Sequence, residues 1–519
     1  MLRGSDCMAK RFIKSGILLT LVGLTMRSAA MIFGAFISRS VGAEGVGLYT
    51  LIMTVYSFAI TFATSGISLT VTRLVASAIG EGGEGRVGSV LRASFIYATA
   101  FGLLATAGLF FGADILGGRI LSDVRTVSSL RLLSVSLLPI SLSAVLSGYF
   151  IGVKRVSFNA VASVFCQLIK ILLTVLLVSR LSKFGTVTAV VGICACVTIT
   201  EILGFLVILF EFLYDRAKNG VKSKTKTNEA GSVCATALPL AFSAYVRSLL
   251  LNVEHILIPK KLRERGESSS EAYAHYGVLH GMALPLLTYP MSPLSSFSGL
   301  LVPEFAEDMS AGRNDRISRV ASKAMNSTLA YSVISAVFLI LFSEELGYIL
   351  YRSYDAGYYI SILALVVPIM YLDHVTDSIL KGIGEQVFSM WINVTDSLLS
   401  VFLVWLLIPR LGIMGYAVVI MIMETYNFAF SYYKLRKRIS FSVSYLSFGL
   451  IPLALSLASG FIANRIFQFG GSTARPIWLT LKIVFALCIL VFLLAFMDCL
   501  IEKIKTKSKI AQKKKVTAE

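Results

Sequence analysis

The sequence predicts an all-α integral membrane protein of about fourteen transmembrane helices, built as two six-helix lobes followed by two further helices. Three observations carry this. Apolar runs recur from end to end, each long enough to cross about 30 Å of hydrocarbon. Of the 519 residues only 15% are charged and 56% are hydrophobic, with a mean hydropathy of +0.78. A soluble chain of that length needs far more polar surface to cover its core. One long polar stretch, Asp215–Gly231, separates the sixth run from the seventh.

The spans fall near 14–38, 48–79, 90–112, 127–151, 157–178, 186–213, 232–258, 276–303, 324–343, 356–380, 387–409, 412–433, 443–463 and 477–501. They give an N-lobe over 1–213, a flexible cytoplasmic linker over 214–231, a C-lobe over 232–440, a helix pair over 441–501 and a basic tail over 502–519. The basic stretch ahead of the first run is read as the flank of an uncleaved helix, because so many spans follow it. An even count puts both termini on one side. With the N-terminus inside, inside segments carry more than twice the lysine and arginine of outside segments, so both termini are expected in the cytoplasm. Segment 259–274, with Lys260, Lys261, Arg263 and Arg265, is the exception.

The net charge of +19 is spread in short clusters between spans, a topology signal rather than a nucleic-acid footprint. The seven cysteines lack zinc-site spacing; Cys194 and Cys196 sit mid-span without histidines. There is no GxxxxGK[ST] phosphate loop. Asn326-Ser-Thr and Asn393-Val-Thr match the glycosylation pattern, but the first is cytoplasmic by topology and the second lies in a span. The longest outside loop is too short for a catalytic domain, which argues against a membrane glycosyl polymerase or ligase. No enzyme activity, cofactor or metal site is expected.

The lobes are weakly alike. Gly45-Val-Gly-Leu-Tyr opens the second span, and His275-Tyr-Gly-Val-Leu opens the eighth about 230 residues later. Gly148-x3-Gly152 precedes the fifth span, and Gly382-x-Gly384 precedes the eleventh at about the same offset. Six helices per repeat keep odd and even spans in phase. The repeat is therefore parallel, a pseudo-twofold about the membrane normal, and such repeats place substrate sites between halves. Gly66, Pro239, Pro285, Pro290 and Pro293 are expected to interrupt spans two, seven and eight.

Charges inside spans are costly and mark function. Arg27 and Arg247 lie midway along spans one and seven, and Arg73 lies in span two. A guanidinium matches phosphate oxygens with two parallel hydrogen bonds and stays protonated, so these three can grip a pyrophosphate. The competing reading is an internal ion pair, with Glu254, Glu201 or Glu424 as partner. Glu201, Glu254, Asp373, Asp377, Asp396 and Glu424 are candidates for charge balance or for coupling to H⁺ or Na⁺. Lys170, mid-span in the fifth helix, either lines a cavity or pairs with an acid. Arg131 and Lys482, near span ends, are expected to snorkel.

Several segments resemble the stage V sporulation protein B group of flippases, within the multidrug/oligosaccharidyl-lipid/polysaccharide (MOP) exporter superfamily that includes the lipid II flippases. They are Met8-Ala-Lys-Arg-Phe-Ile-Lys-Ser-Gly, Thr25-Met-Arg27, Ser38-Arg-Ser-Val-Gly-Ala-Glu-Gly-Val-Gly-Leu-Tyr49, Ala237-Leu-Pro-Leu, Glu254, Tyr276-Gly-Val-Leu-His-Gly-Met-Ala-Leu-Pro-Leu and Leu301-Val-Pro-Glu. A resemblance that begins at Met8 implies that Met1–Cys7 is either an upstream start or a tolerated extension. The resemblance implies a V-shaped, alternating-access carrier of an undecaprenyl-pyrophosphate-linked saccharide, with the last two helices as a groove for the lipid tail. It places a phosphate-binding arginine on Arg27, while a second expected arginine stands as Phe33 here, leaving Arg73 and Arg247 to complete the cradle. The implied partners are the lipid-linked substrate, membrane lipid and cell-wall synthesis proteins, around a monomeric carrier. The alternatives are an exporter of another lipid-linked polysaccharide unit and a multidrug/cation antiporter, whose cavity needs acids rather than arginines. A non-transporting scaffold leaves the intramembrane charges without a use.

Overall fold

A computed structural model describes residues 2–80, 84–121, 123–153, 155–219, 229–310, 312–468 and 477–494. The centre of the expected linker, the basic tail and the end of the last span lie outside the described residues, as does the side chain of Arg27. Among the described residues there is no β-strand.

The helices are α1 (Leu2–Thr64), α2 (Ile67–Gly80), α3 (Glu84–Ile115), α4 (Val127–Ser134), α5 (Leu137–Gly152), α6 (Val156–Leu181) and α7 (Thr186–Asn219). Then come α8 (Ala230–Glu264), α9 (Ser269–Tyr276), a π-helical turn (Gly277–Ala283), α10 (Leu284–Thr288) and α11 (Met291–Ser310). The chain continues with α12 (Asn314–Leu341), α13 (Ser343–Tyr351), α14 (Tyr354–Leu363), α15 (Val367–Gly382), α16 (Gln386–Leu411), α17 (Ile413–Arg438), α18 (Ile451–Gln468) and α19 (Ile477–Leu494).

Each expected span coincides with helix, but the count of fourteen is not reached on length and hydropathy. Among the described residues ten helical segments pass that test, or eleven with the bent pair α4–α5. One passing segment, Ser28–Ile79, has 52 residues. At 1.5 Å per residue that is roughly twice a bilayer crossing. Gly42 divides it with φ 70, ψ −177, and Ser65 and Gly66 break it again. The α9–α11 stretch falls short because serines, prolines and charges dilute its apolar character. Of the expected interruptions, Gly66 and Pro290 mark breaks. Pro239 does not: α8 runs unbroken past it. Pro293 sits in the first turn of α11, where a missing N–H costs nothing, while Pro285 lies in helix that continues unbroken from the π-helical turn.

The duplication is written into the helix ends. Those of α5 and α6 (Leu137, Gly152; Val156, Leu181) recur in α15 and α16 (Val367, Gly382; Gln386, Leu411), about 230 residues on each time. Contacts repeat with them. A Cβ on Gly152 would sit 3.0 Å from Val75 and 3.1 Å from the Thr72 carbonyl oxygen. One on Gly382 would sit 2.7 Å from the Phe305 Cβ and 3.0 Å from the Val302 carbonyl oxygen, the same pair of positions shifted by about 230.

By packing, the chain forms two compact units, Met1–Pro285 with Asn393–Ile420, and Leu286–Ile392 with Met421–Glu519. Within the first, α1 crosses α9 and the π-helical turn at close range. A Cβ on Gly47 would lie 1.8 Å from the Tyr273 carbonyl oxygen, and one on Gly277 would lie 2.5 Å from the Gly47 nitrogen. Two glycines that correspond in the repeat therefore touch each other, backbone on backbone. In the second unit, Lys482 of α19 is 5% exposed and bonds Glu345 of α13 at 2.6 Å. The expected snorkelling gives way there to a buried ion pair. Arg131, which is exposed, pairs with Asp114 at 2.6 Å in the first unit.

The residue before the repeated helix is charged in both halves, with its sign exchanged. Arg155, just before α6, pairs with Asp215 of α7. Glu385, just before α16, pairs with Lys434 and Arg438 of α17. Burial at this turn works to raise the Glu385 carboxyl, but hydrogen bonds from Lys434 and Arg438 outweigh it and hold it below the usual carboxylate range.

Two outcomes are expected. Gly47→Ala should lower the thermal midpoint of the purified protein steeply, because the clash is with backbone and overpacking costs about 1–3 kcal/mol or more. Gly34→Ala, with nothing within 4 Å of the added carbon, should not. Because the folded carboxyl of Glu385 titrates low, its stabilisation is present above the ordinary carboxylate range and lost as pH falls through the lowered value. The gap in thermal midpoint between wild type and Glu385→Gln should therefore be open at neutral pH and closed in strong acid.

Candidate functional site

The helices that carry the expected arginines pack together in the first unit: α8 lies against both α1 and α2. Their meeting point is the break after α1. Ser65 is fully buried with φ 45, left-handed backbone that a non-glycine residue adopts at a cost. Its hydroxyl lies 2.9 Å from the Tyr97 hydroxyl of α3 and 2.5 Å from the Tyr245 hydroxyl of α8. Ser141 of α5 donates to the Ala63 carbonyl at 2.9 Å and so satisfies an acceptor at the same break.

Arg73 lies two turns beyond the break on the exposed face of α2, and Arg247 is exposed on α8 two residues past Tyr245. Val75 and Ala78 share a core cluster with Val233 and Ala237, so α2 and α8 run antiparallel. The Ser65–Tyr245 contact then sets Arg73 and Arg247 about 15 Å apart along the helix axes. Among the described residues neither arginine has an ion-pair or hydrogen-bond partner. The acids offered as partners are elsewhere. Glu254 is 8% exposed and faces Ser400 and Asp396 of α16. Glu201 lies 4.0 Å from Lys170.

That Lys170–Glu201 pair lines a cavity of about 470 Å³ within the first unit, with Ser163, Gln167, Thr64 and Ser68 also in its wall. Thr64 and Ser68 flank the break. Lys170 thus meets both roles considered for it. The cavity itself was not read from the sequence, although Ser163, Gln167 and Lys170 fall at i, i+4 and i+7, a polar stripe on one face of an apolar helix.

A second cluster surrounds Glu254. The rings of His255 and His280 are 4.2 Å apart, and Tyr276 stacks on His280 at 5.3 Å. The Nδ1 atoms of both histidines are buried without a hydrogen-bond partner among the described residues. His280 sits in the π-helical turn, an irregularity common at working sites. Asp373 on α15 and Glu424 on α17 are half-buried. Asp377 is bound to Lys381 and accepts from Ser389, which leaves it no free charge. Among the described residues no three of His, Cys, Asp and Glu are placed to hold a metal ion.

Comparisons with known proteins bear on the fold and family. The sequence profile described as "Polysaccharide biosynthesis protein" matches residues 12–309, and the MatE profile matches 280–406. Stage V sporulation protein B of Bacillus subtilis (strain 168) is 27% identical over 487 residues, 90% of this chain and 92% of that one. Lipid II flippase MurJ of the same organism is 22% identical over 408 residues, 74% and 75% of the two chains. The solved lipid II flippase MurJ in its inward closed conformation superposes with a TM-score of 0.67 at 16% identity, covering 93% of this chain and all of the other. The protein is a multi-pass, all-α bacterial membrane protein with the MOP-superfamily fold, flippase-like in class. It belongs to the polysaccharide biosynthesis protein family.

Ser65→Val, β-branched at a left-handed position and without the bridging hydroxyl, should destabilise the protein by about 1–3 kcal/mol. Ser65→Gly should cost less, since only the hydroxyl is lost. Thermal unfolding of the two purified variants checks the order.

Proposed function

We propose that the chain is a flippase, not an enzyme, that carries an undecaprenyl-pyrophosphate-linked saccharide across the cytoplasmic membrane by alternating access, with a peptidoglycan precursor such as lipid II as cargo. The observation that carries this is the absence of any partner for Arg73 and Arg247 among the described residues. A membrane-embedded cation left unsatisfied by the protein must be met by water or by a ligand. An anionic pyrophosphate head group suits two guanidinium groups well. The similarity to stage V sporulation protein B and to lipid II flippase MurJ supports the same substrate class.

In the proposed cycle both termini are cytoplasmic, and the lobes 1–213 and 232–440 exchange access around the head group. Arg27, Arg73 and Arg247 hold the pyrophosphate. The lipid tail stays in the bilayer beside the helices of 441–501. Glu254 and Asp396 take up the coupling cation or proton, because they are the acids brought together at a buried site. A second reading, export of a cationic drug, draws on the same buried acids and on the MatE match. It leaves the arginines without a role.

The test is complementation of a bacterium depleted of its own lipid II flippase, with surface-exposed lipid II as readout. The wild type should restore exposure. Arg73→Ala and Arg247→Ala, at equal membrane levels, should lower it at least about tenfold, the scale of one charge-assisted hydrogen bond. Arg247→Lys should recover only part, since an ammonium lacks the planar fork. A well-expressed wild type that restores nothing overturns the lipid II assignment and makes another lipid-linked polysaccharide unit the next cargo to assay.

A further inference from the structure

A second set of free cations lies in the first unit, at the end where α3 begins and α5 and α7 finish. Here a slot of about 320 Å³ opens between α3 and α7, with Tyr149 of α5 among its lining residues. Leu91, Phe95 and Phe212 form apolar walls, and Arg92 and Arg216 stand at the rim. Both arginines are exposed.

The local acids are already engaged. Asp215, next to Arg216, binds Arg155 and accepts a hydrogen bond from Tyr149 at 2.9 Å. Glu229 is held by Arg86 at 2.7 Å. Of the four arginines around this end, the two with acidic partners are not among the residues lining the slot. The two that line it have no ion-pair or hydrogen-bond partner among the described residues.

The slot also continues into a lipid-facing surface. Beyond Arg92 on α3, Ile96, Ala100, Leu103, Ala107 and Phe111 are all exposed, at the spacing of a single helical face. On α7, Phe210 and Leu206 are exposed below Arg216. A paired cationic rim above an aromatic floor and a long apolar stripe matches a molecule with an anionic head and a hydrocarbon tail. It does not match a free anion, which has no use for the stripe, or a soluble peptide.

We propose that this slot binds an anionic glycerophospholipid of the surrounding bilayer, with Arg92 and Arg216 on its phosphate and the acyl chain along α3. The site is separate from the head-group arginines Arg73 and Arg247. It occupies the cytoplasmic leaflet if the termini are cytoplasmic, the leaflet where anionic lipid attracts basic residues most strongly.

Native mass spectrometry of the purified full chain tests this, with phosphatidylglycerol or phosphatidylcholine added in equal amount. The wild type should retain phosphatidylglycerol roughly tenfold over phosphatidylcholine, the scale of charge-assisted contacts. In Arg92→Gln/Arg216→Gln that preference should vanish, and in Arg92→Lys/Arg216→Lys it should persist in part. Arg180→Gln, remote from the slot, should keep the full preference. Retention of a lipid-linked pyrophosphate by the double glutamine variant should match the wild type. The proposal is overturned if the wild type shows no preference, if the double glutamine variant keeps it, or if that variant loses the lipid-linked pyrophosphate equally. The last result would make the slot a substrate entry site. An unchanged thermal midpoint in the variants excludes misfolding as the cause.

Discussion

A charge inside hydrocarbon must be matched or wetted, and the membrane-embedded part of this protein is organised around that requirement. Lys482 meets Glu345, Arg131 meets Asp114, Lys170 meets Glu201, and Asp377 meets Lys381. Arg73 of α2 and Arg247 of α8, by contrast, have no such partner among the described residues. A carrier needs such groups. A cation already satisfied by the protein would have to break its own ion pair before gripping a substrate, and that cost would be subtracted from binding.

The scaffold that holds these arginines depends on close backbone approach. Gly47 and Gly277 let α1 and the π-helical turn touch, in a contact made by equivalent positions of the duplicated halves. A self-complementary contact of this kind is what two copies of one unit make about a twofold axis. Ser65 adds a fixed break a short way along the same chain, pinned by tyrosines from α3 and α8. Beyond the break, α2 exposes Arg73 on one face while Thr72 bonds the Gly148 carbonyl on another.

Much of this was legible in the sequence. Apolar runs fixed the helix positions. Gly66 announced the break in the second span, and the glycine offset announced the duplication. The failures have physical causes. Pro239 was expected to break α8 because proline removes an N–H, yet the helix continues past it. Lys482 was expected to snorkel because it lies near a span end, but tertiary packing brings Glu345 to it. The strain at Ser65 is invisible in sequence, since serine carries no left-handed signature and the neighbouring glycine draws the eye. His280 was passed over as part of a motif; its meaning appears only when α8 places His255 beside it. The number of spans stayed open for a related reason. The α9–α11 stretch, broken at Pro290 and rich in serine and proline, looks least like a membrane helix.

The account's central claim is that Arg247 faces a watery path used by an anionic lipid-linked substrate. The most direct measurement is thiol accessibility at Ala244→Cys, one turn before Arg247, in a chain freed of its native cysteines and still functional in cells. The account predicts modification by a membrane-impermeant thiol reagent, slowed when lipid-linked precursors accumulate. Phe242→Cys, on the 70% exposed apolar side of the same helix, should stay unmodified. Equal inertness at both positions would contradict the account, because it would place the Arg247 face in lipid rather than on a transport path.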